Sequence, residues 1–238
     1  MPRPLEYPVP TFIHPAEARR RFADFAAGDI GVGDLARGAL LIALEEYPGL
    51  DVDDYLYRLA GLAERVRRRG SERDPPVFRL GHLHAEMFDV DGYRGDATDY
   101  YEPRNAYLNE VVDRKVGLPI VLSIVFLDVA TRLGLNAAGV GLPGHYVVKV
   151  QFEMNELYVD PFHGGATLTM SEIATMISGI SGGQVRLTSE HLRAWTPRQT
   201  LVRVLANLQN MWGRVGEARK AQAAAERAEL LQGKVRER

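Results

Sequence analysis

Between Gly117 and Gly134 the chain carries a strongly apolar stretch, Pro119 to Leu133, broken only by Ser123, Asp128, Thr131 and Arg132. A run of this length is too long for an ordinary strand and too short for the ~18 apolar residues of a membrane span. It reads as a helix, with Gly134 as its stop. Strand-like runs follow at Val140, Tyr146–Phe152 and Glu156–Val159, separated by Leu142-Pro143-Gly144 and by a turn around Asn155. The apolar helix thus feeds directly into short adjacent strands.

Two of those strands carry residues suited to proton chemistry. His145 sits in Gly144-His145-Tyr146-Val147-Val148-Lys149-Val150, and Asp160 in Leu157-Tyr158-Val159-Asp160-Pro161-Phe162. A histidine and an aspartate on neighbouring strands supply the base of a nucleophilic triad and the group that orients it. The usual third member is a thiol on a nearby helix, and this chain has no cysteine. Disulfides, thiolate zinc sites and cysteine catalysis are excluded together.

The rest of the chain reads as mostly helical. Residues 1–15 are proline-rich and predicted extended, because proline biases the residue before it away from helix. Pro15 suits the first turn of a helix through Ala16–Ala26. Asp34 is placed to cap Leu35–Glu46, and Asp51 to Arg69 reads as a third helix with Tyr55, Leu59, Leu62 and Val66 on one side. These three form an N-terminal helical bundle, and Phe78–Phe88 continues as helix. Ser171 is expected to cap a helix through Ile177. From Thr196 to Arg238 two helices are predicted, the first striped by Leu201, Val204, Leu205, Leu208 and Met211. This helical hairpin is similar to one tetratricopeptide-like unit, and a single unit is expected to pack on the domain or cap it.

Composition narrows the function classes. With 238 residues, 46% hydrophobic and 25% charged, the chain can bury one core, with or without a small appendage. A formal net charge of −2 gives no long-range pull on nucleic acid or an anionic membrane. The basic runs Arg19-Arg20-Arg21 and Arg65–Arg69 read as solvated faces. The N-terminus has no apolar signal core, so a cytoplasmic location is expected. No cofactor is expected, since Gly164-Gly165 lacks the following helix and lysine of a phosphate loop.

Three segments taken together resemble a known family. They are Leu35-Ala36-Arg37-Gly38-Ala39-Leu40-Leu41-Ile42-Ala43, Tyr100-Tyr101-Glu102-Pro103-Arg104-Asn105-Ala106-Tyr107-Leu108-Asn109-Glu110 and Gly117-Leu118-Pro119-Ile120-Val121-Leu122-Ser123. With Pro143-Gly144-His145 and Asp160-Pro161-Phe162, the ordered set resembles the SirB1-like proteins, a bacterial branch of the transglutaminase-like fold, over roughly residues 16–215. The resemblance implies an α+β fold with a cysteine-protease-like core, in which a helix carries the nucleophile at its N-terminus and a small antiparallel sheet carries histidine and aspartate. It divides the chain into an extended segment (1–15), a helical region (16–90), a transglutaminase-like core (91–195) and a tetratricopeptide-like pair (196–238). In active members the helix begins Gly-x-Cys and ends Leu-Gly-Ile. Here Gly117-Leu118-Pro119 precedes Leu133-Gly134-Leu135, which implies that Pro119 holds the nucleophile's place. Proline removes the thiol and one backbone donor, yet suits the first helical turn.

Ser123 lies one turn after Pro119 on the same helix face and offers a Ser123-His145-Asp160 triad. Against it, a shift of about 5.4 Å along the axis leaves the helix N-terminus that assists an oxyanion. A serine inside an apolar helix also commonly bonds the carbonyl one turn back. His145 and Asp160 read equally as a satisfied buried pair. His82 and His84 invite a metal reading with His163, but positions i and i+2 do not share a helix face, and no metal is expected. Asn105, Tyr107 and Asn109 read as a clamp holding their loop against the helix; in the alternative reading, Tyr101, Arg104 and Asn109 line a cleft beside His145.

Two functions follow. In the first, the chain is a non-catalytic, regulatory module that binds a protein or peptide through Tyr101, Arg104, Asn105, Asn109 and His145, with no nucleic-acid or membrane partner. In the second, it is a hydrolase or acyl-transfer enzyme built on Ser123, His145 and Asp160. A third use of His145 and Asp160, activating water or a substrate hydroxyl, is permitted. Pro119 and the missing thiol favour the first.

Overall fold

Side-chain caps fix the starts of several helices in the computed structural model, which describes residues 12–71, 73–153 and 155–233. The extended reading of residues 1–11 and the last five residues of the C-terminal pair lie outside these. Helix α1 spans Pro15–Ala27, α2 Leu35–Ala43 and α3 Val52–Arg67, the last capped by Asp51 accepting from the N–H groups of Asp53 and Asp54. Asp34 sits at the start of α2 but its side chain does not cap it; Oδ2 accepts from Gly31 N at 3.0 Å and closes the preceding 3₁₀ turn instead. The helix expected over Phe78–Phe88 is α4 (Pro76–His84) followed by a wider π turn over Ala85–Val90.

A two-residue strand β1 (Arg94–Gly95) pairs in parallel with β2 (Val116–Gly117), and α5 (Leu108–Arg114) lies between them in sequence. The apolar helix is α6, Pro119–Arg132, and every residue from Pro119 to Ala130 is buried. A helix apolar on all sides needs neighbours on all sides. It finds them in α2, α3 and α5 and in the sheet. Each large aliphatic side chain so buried contributes about 1.5–3 kcal/mol, which makes α6 the axis of the core.

Strands β3 (Asn136–Leu142), β4 (His145–Gln151), β5 (Glu156–Asp160) and β6 (Ala166–Leu168) form one antiparallel sheet in that order. Alternation along β4 sends Tyr146, Val148 and Val150 into the main core with α6. Val147 joins Val140, Leu142, Tyr158, Ile173 and Ile177 in a second core on the opposite face. That face is covered by α7 (Met170–Ile180). Its cap is Thr169, not Ser171: the Thr169 hydroxyl accepts from Glu172 N, and Glu172 Oε2 accepts from Thr169 N at 2.7 Å. The two-residue turn between β3 and β4 pairs Leu142 with His145, and Gly144 has φ +74°, a conformation that favours glycine.

The C-terminal hairpin, α8 (Pro197–Arg214) and α9 (Ala218–Leu231), is seated on the domain. Its apolar stripe from Leu201 to Met211 enters the main core. Thr200 Oγ1 and Tyr146 Oη lie 2.8 Å apart, Trp212 Nε1 donates to Tyr107 Oη at 2.9 Å, and Arg227 Nη1 donates to Ile42 O at 2.7 Å. Among the described residues no helix is long and apolar enough to cross a membrane.

Candidate functional site

The start of α6 is fixed from outside the helix. Leu118 N donates to Asn105 O at 2.9 Å, and fully buried Asn105 donates through Nδ2 to Asp96 Oδ2 at 3.1 Å and Asp99 O at 2.8 Å. Asn105 therefore ties the loop before α5 to the turn after β1 and to the first turn of α6. Pro119 occupies that turn, where its missing N–H is no loss.

At the strand ends beside this helix, the register that pairs Val148 with Val159 leaves His145 and Asp160 diagonal to one another. His145 Nε2 lies 2.8 Å from Asp160 Oδ2. A second imidazole joins them: His163 Nδ1 is also 2.8 Å from Asp160 Oδ2. The other carboxylate oxygen accepts from Phe162 N at 3.0 Å and His163 N at 3.4 Å, capping a 3₁₀ turn over Pro161–His163. Asp160 is wholly buried, which alone would disfavour its charge. The hydrogen bonds and charge of His145 and His163 outweigh that burial and hold its carboxyl below the ordinary aspartate range. An ionised carboxylate only accepts, so both contacting ring nitrogens donate. In the neutral imidazole His145 Nδ1 is then the lone-pair nitrogen. The Phe162 ring meets His145 edge-on, 5.9 Å between centroids, and packs so near Gly95 that a Cβ there would lie 2.3 Å from it.

His145 opens onto a shallow notch of about 10 Å³, near the lower limit for one water. Its walls are Pro119 and Ile120 from α6, Tyr100, Gly144 and Tyr146, and, from α8, Arg203 and Asn207. Larger cavities exist elsewhere, including one of about 690 Å³ beside Val77, Phe152 and Leu157, but His145 and Asp160 line none of them.

The structure thus brings together His145, Asp160 and Pro119. It does not bring Ser123 to them: Ser123 is fully buried, and its Oγ donates to Pro119 O at 2.8 Å. Tyr101 is 46% exposed beneath the Arg214 guanidinium, 3.9 Å from the ring centroid, and Arg104 turns outward onto Glu102. Asn109 is buried in α5 with its Oδ1 unpaired. His82 pairs with Asp74, and His84 packs edge-on against Phe88. Where the sequence pointed to no metal and weighed His163 with His82 and His84, the donor set found among the described residues is His145, Asp160 and His163, with ligand atoms within 4.8 Å of one another. Both ring nitrogens that face Asp160 are already spent on its carboxylate.

Sequence reasoning weighed His163 with His82 and His84 rather than with Asp160, and it missed Tyr100, Arg203 and Asn207. His163 was accessible as the third residue after Asp160 in an Asp-Pro turn. Arg203 and Asn207 share a helix face by their spacing of four, but only the docking of α8 carries that face to His145.

The first turn of α6 and the strand-borne histidine of the histidine–aspartate pair thus line one notch. The family model of the Transglutaminase-like superfamily matches residues 53–206. A UPF0162 protein of Xylella fastidiosa (strain 9a5c) is 34% identical over 192 residues, covering 79% of this chain and 68% of the relative. A UPF0162 protein of Pseudomonas aeruginosa is 26% identical over 193 residues (81% and 70%), and the F-box only protein 21 of Mus musculus is 26% identical over 191 residues (70% and 30%). The chain belongs to the transglutaminase-like superfamily and, within these relatives, to the UPF0162 family. No solved structure matches it.

Proposed function

We propose that this chain is a non-catalytic, SirB1-like member of its superfamily, a regulatory module that binds a protein or peptide at the cleft where a thiol enzyme would act. The observation that carries this reading is the occupant of the α6 N-terminus. Pro119 lines the notch beside His145, and its carbonyl takes the hydroxyl of the one serine that lies a turn away. The His145–Asp160 pair is satisfied, and the notch has room for about one water rather than for a scissile bond. Burial of Ser123 speaks against the serine-enzyme reading, which needs a hydroxyl within hydrogen-bond reach of the base.

The test uses the cysteine-free chain to advantage. Tyr101→Cys supplies a unique attachment point for a benzophenone maleimide at the exposed end of the cleft. Photolysis in the presence of lysate is expected to capture a polypeptide that excess unlabelled wild-type protein competes away. Capture that no excess suppresses, or acyl hydrolysis by the wild type that Ser123→Ala abolishes, overturns the proposal.

A further inference from the structure

We propose that the notch beside His145 recognises a carboxylate, that of an aspartate or glutamate side chain in an acidic peptide, and that Arg203 and Asn207 of α8 are the residues that seat it. This rests on the binding reading above and names its ligand chemistry. The C-terminal hairpin is then part of the binding site and not only a cover for the core.

Arg203 is one of the arginines without a carboxylate partner, and it is the one that lines the notch. Arg19, Arg37, Arg58, Arg65 and Arg132, among others, each face a carboxylate within 4.0 Å. Arg203 is half-buried, and its side chain makes no hydrogen bond or ion pair among the described residues; neither does that of Asn207, one turn further along the same face. Its charge reaches the notch, because it opposes the upward push that burial exerts on the Tyr100 phenol. A guanidinium and a carboxamide one turn apart present several N–H donors to one small volume, the arrangement that suits a planar, two-oxygen acceptor. The neighbouring negative charge, Asp160, is fully buried behind His145 and His163 and is hydrogen-bonded to both.

The surroundings bear on the source of the carboxylate. A notch of about 10 Å³ is too small to enclose the group, so the carboxylate sits at its mouth, within reach of the Arg203 and Asn207 donors. Eleven residues past Arg203, close to three full turns of helix, Arg214 lies over the exposed ring of Tyr101, and its hydrogen bond goes to Asn210 Oδ1 at 3.3 Å rather than to a carboxylate. A peptide with one acidic side chain in the notch thus passes along a face that offers a second cation on an aromatic platform. On a chain of net charge −2, this is local charge complementarity and not a general attraction.

The experiment follows the side-chain N–H signals of Arg203 and Asn207 by NMR in the full-length isotopically labelled chain. Acetate, sodium phosphate and chloride are titrated at constant ionic strength, followed by amidated hexaglutamate and amidated hexaglutamine. Acetate and amidated hexaglutamate are expected to shift both signals saturably, and hexaglutamine to leave them unmoved. Arg203→Gln and the near-isosteric Asn207→Asp should each weaken hexaglutamate binding at least about tenfold while His145 signals and the melting temperature hold. Absence of saturable shifts, equal binding by either folded variant, or tighter binding of phosphate than acetate overturns the inference. Benzophenone capture at position 101 that survives Arg203→Gln leaves the binding function standing and removes this ligand assignment. Acetate binding without any competable capture removes the polypeptide partner and leaves the carboxylate site.

Discussion

Replacing Asp160 by asparagine separates the charge of the buried carboxylate from its shape. In the wild type, one oxygen accepts from two backbone N–H groups and the other from two imidazoles at 2.8 Å. Asparagine keeps an oxygen for the backbone pair but turns an NH₂ toward the two rings, and both rings must change tautomer to accept from it. Two hydrogen bonds to a charged group, about 1.5–3 kcal/mol each, become two neutral ones of about 0.5–1.5 kcal/mol. The His163 side chain is 59% exposed, so its share is screened and discounted. The net loss is about 2 kcal/mol, or about 4–8 °C in melting temperature for a domain of this size.

The pH dependence follows from the depressed carboxyl of Asp160. A group whose folded pKa lies below its unfolded value contributes stability that is complete above the unfolded value, about 3.9, and that is lost as pH falls through the folded one. The gap between wild type and Asp160→Asn should therefore be widest near neutrality and close in acid below about pH 4. Thermal melts of both proteins from pH 7 to pH 3 measure it. A variant within about 1 °C of wild type at pH 7, or a gap that widens in acid, refutes the assignment of Asp160 as a charged, doubly paired anchor.

Ser123→Ala removes one intrahelical hydrogen bond and should cost about 1 kcal/mol or less in urea melts, with any hydrolytic background unchanged. Pro119→Cys places a thiol in the first turn of α6, and its alkylation rate should titrate with a midpoint below about 7.5; a midpoint near the free-thiol value of about 8.5 would show that position 119 is not the vacant nucleophile position. Arg227, 7% exposed, donates to Ile42 O and Ala223 O and lies 3.8 Å from Glu45. Arg227→Ala should cost about 3 kcal/mol and open the end of α9 to limited proteolysis, read by mass spectrometry of the first fragments.

The parts of this fold that could be read in the sequence are those whose signals are local. Glycine at 117 and 134 around an apolar run, Pro143-Gly144 between two strands, and the i, i+3, i+4 stripe of α8 each act within one or two turns of chain. The α7 cap was equally local, since Thr169 and Glu172 stand at capping-box spacing, but Ser171 is as good a cap by residue type alone and only backbone geometry chooses between them. Asp34 shows the same limit, for its side chain had two nearby backbone partners and took the one preceding α2. The walls of the notch were illegible for another reason. Tyr100, Pro119, His145 and Arg203 come from four separate stretches, and no periodicity within any of them reports that α8 folds back across the end of α6.

The same geometry explains how a catalytic-looking pair is stable in a chain without a thiol. Asp160 does not merely orient His145; it also caps the turn after β5 through two backbone N–H groups and takes a second imidazole, so the strand end depends on it whatever the chemistry. His145 in turn satisfies half of a fully buried charge, and its loss would leave that charge underpaired at a cost of several kcal/mol. Proline at the first turn of α6 is favourable in itself, because its absent N–H is one that no helix can use there. Each of the three positions is thus stable for reasons independent of thiol chemistry. A histidine–aspartate pair is therefore weak evidence for catalysis in this fold, and the binding proposal rests instead on Arg203 and Asn207, whose side chains have no partner among the described residues.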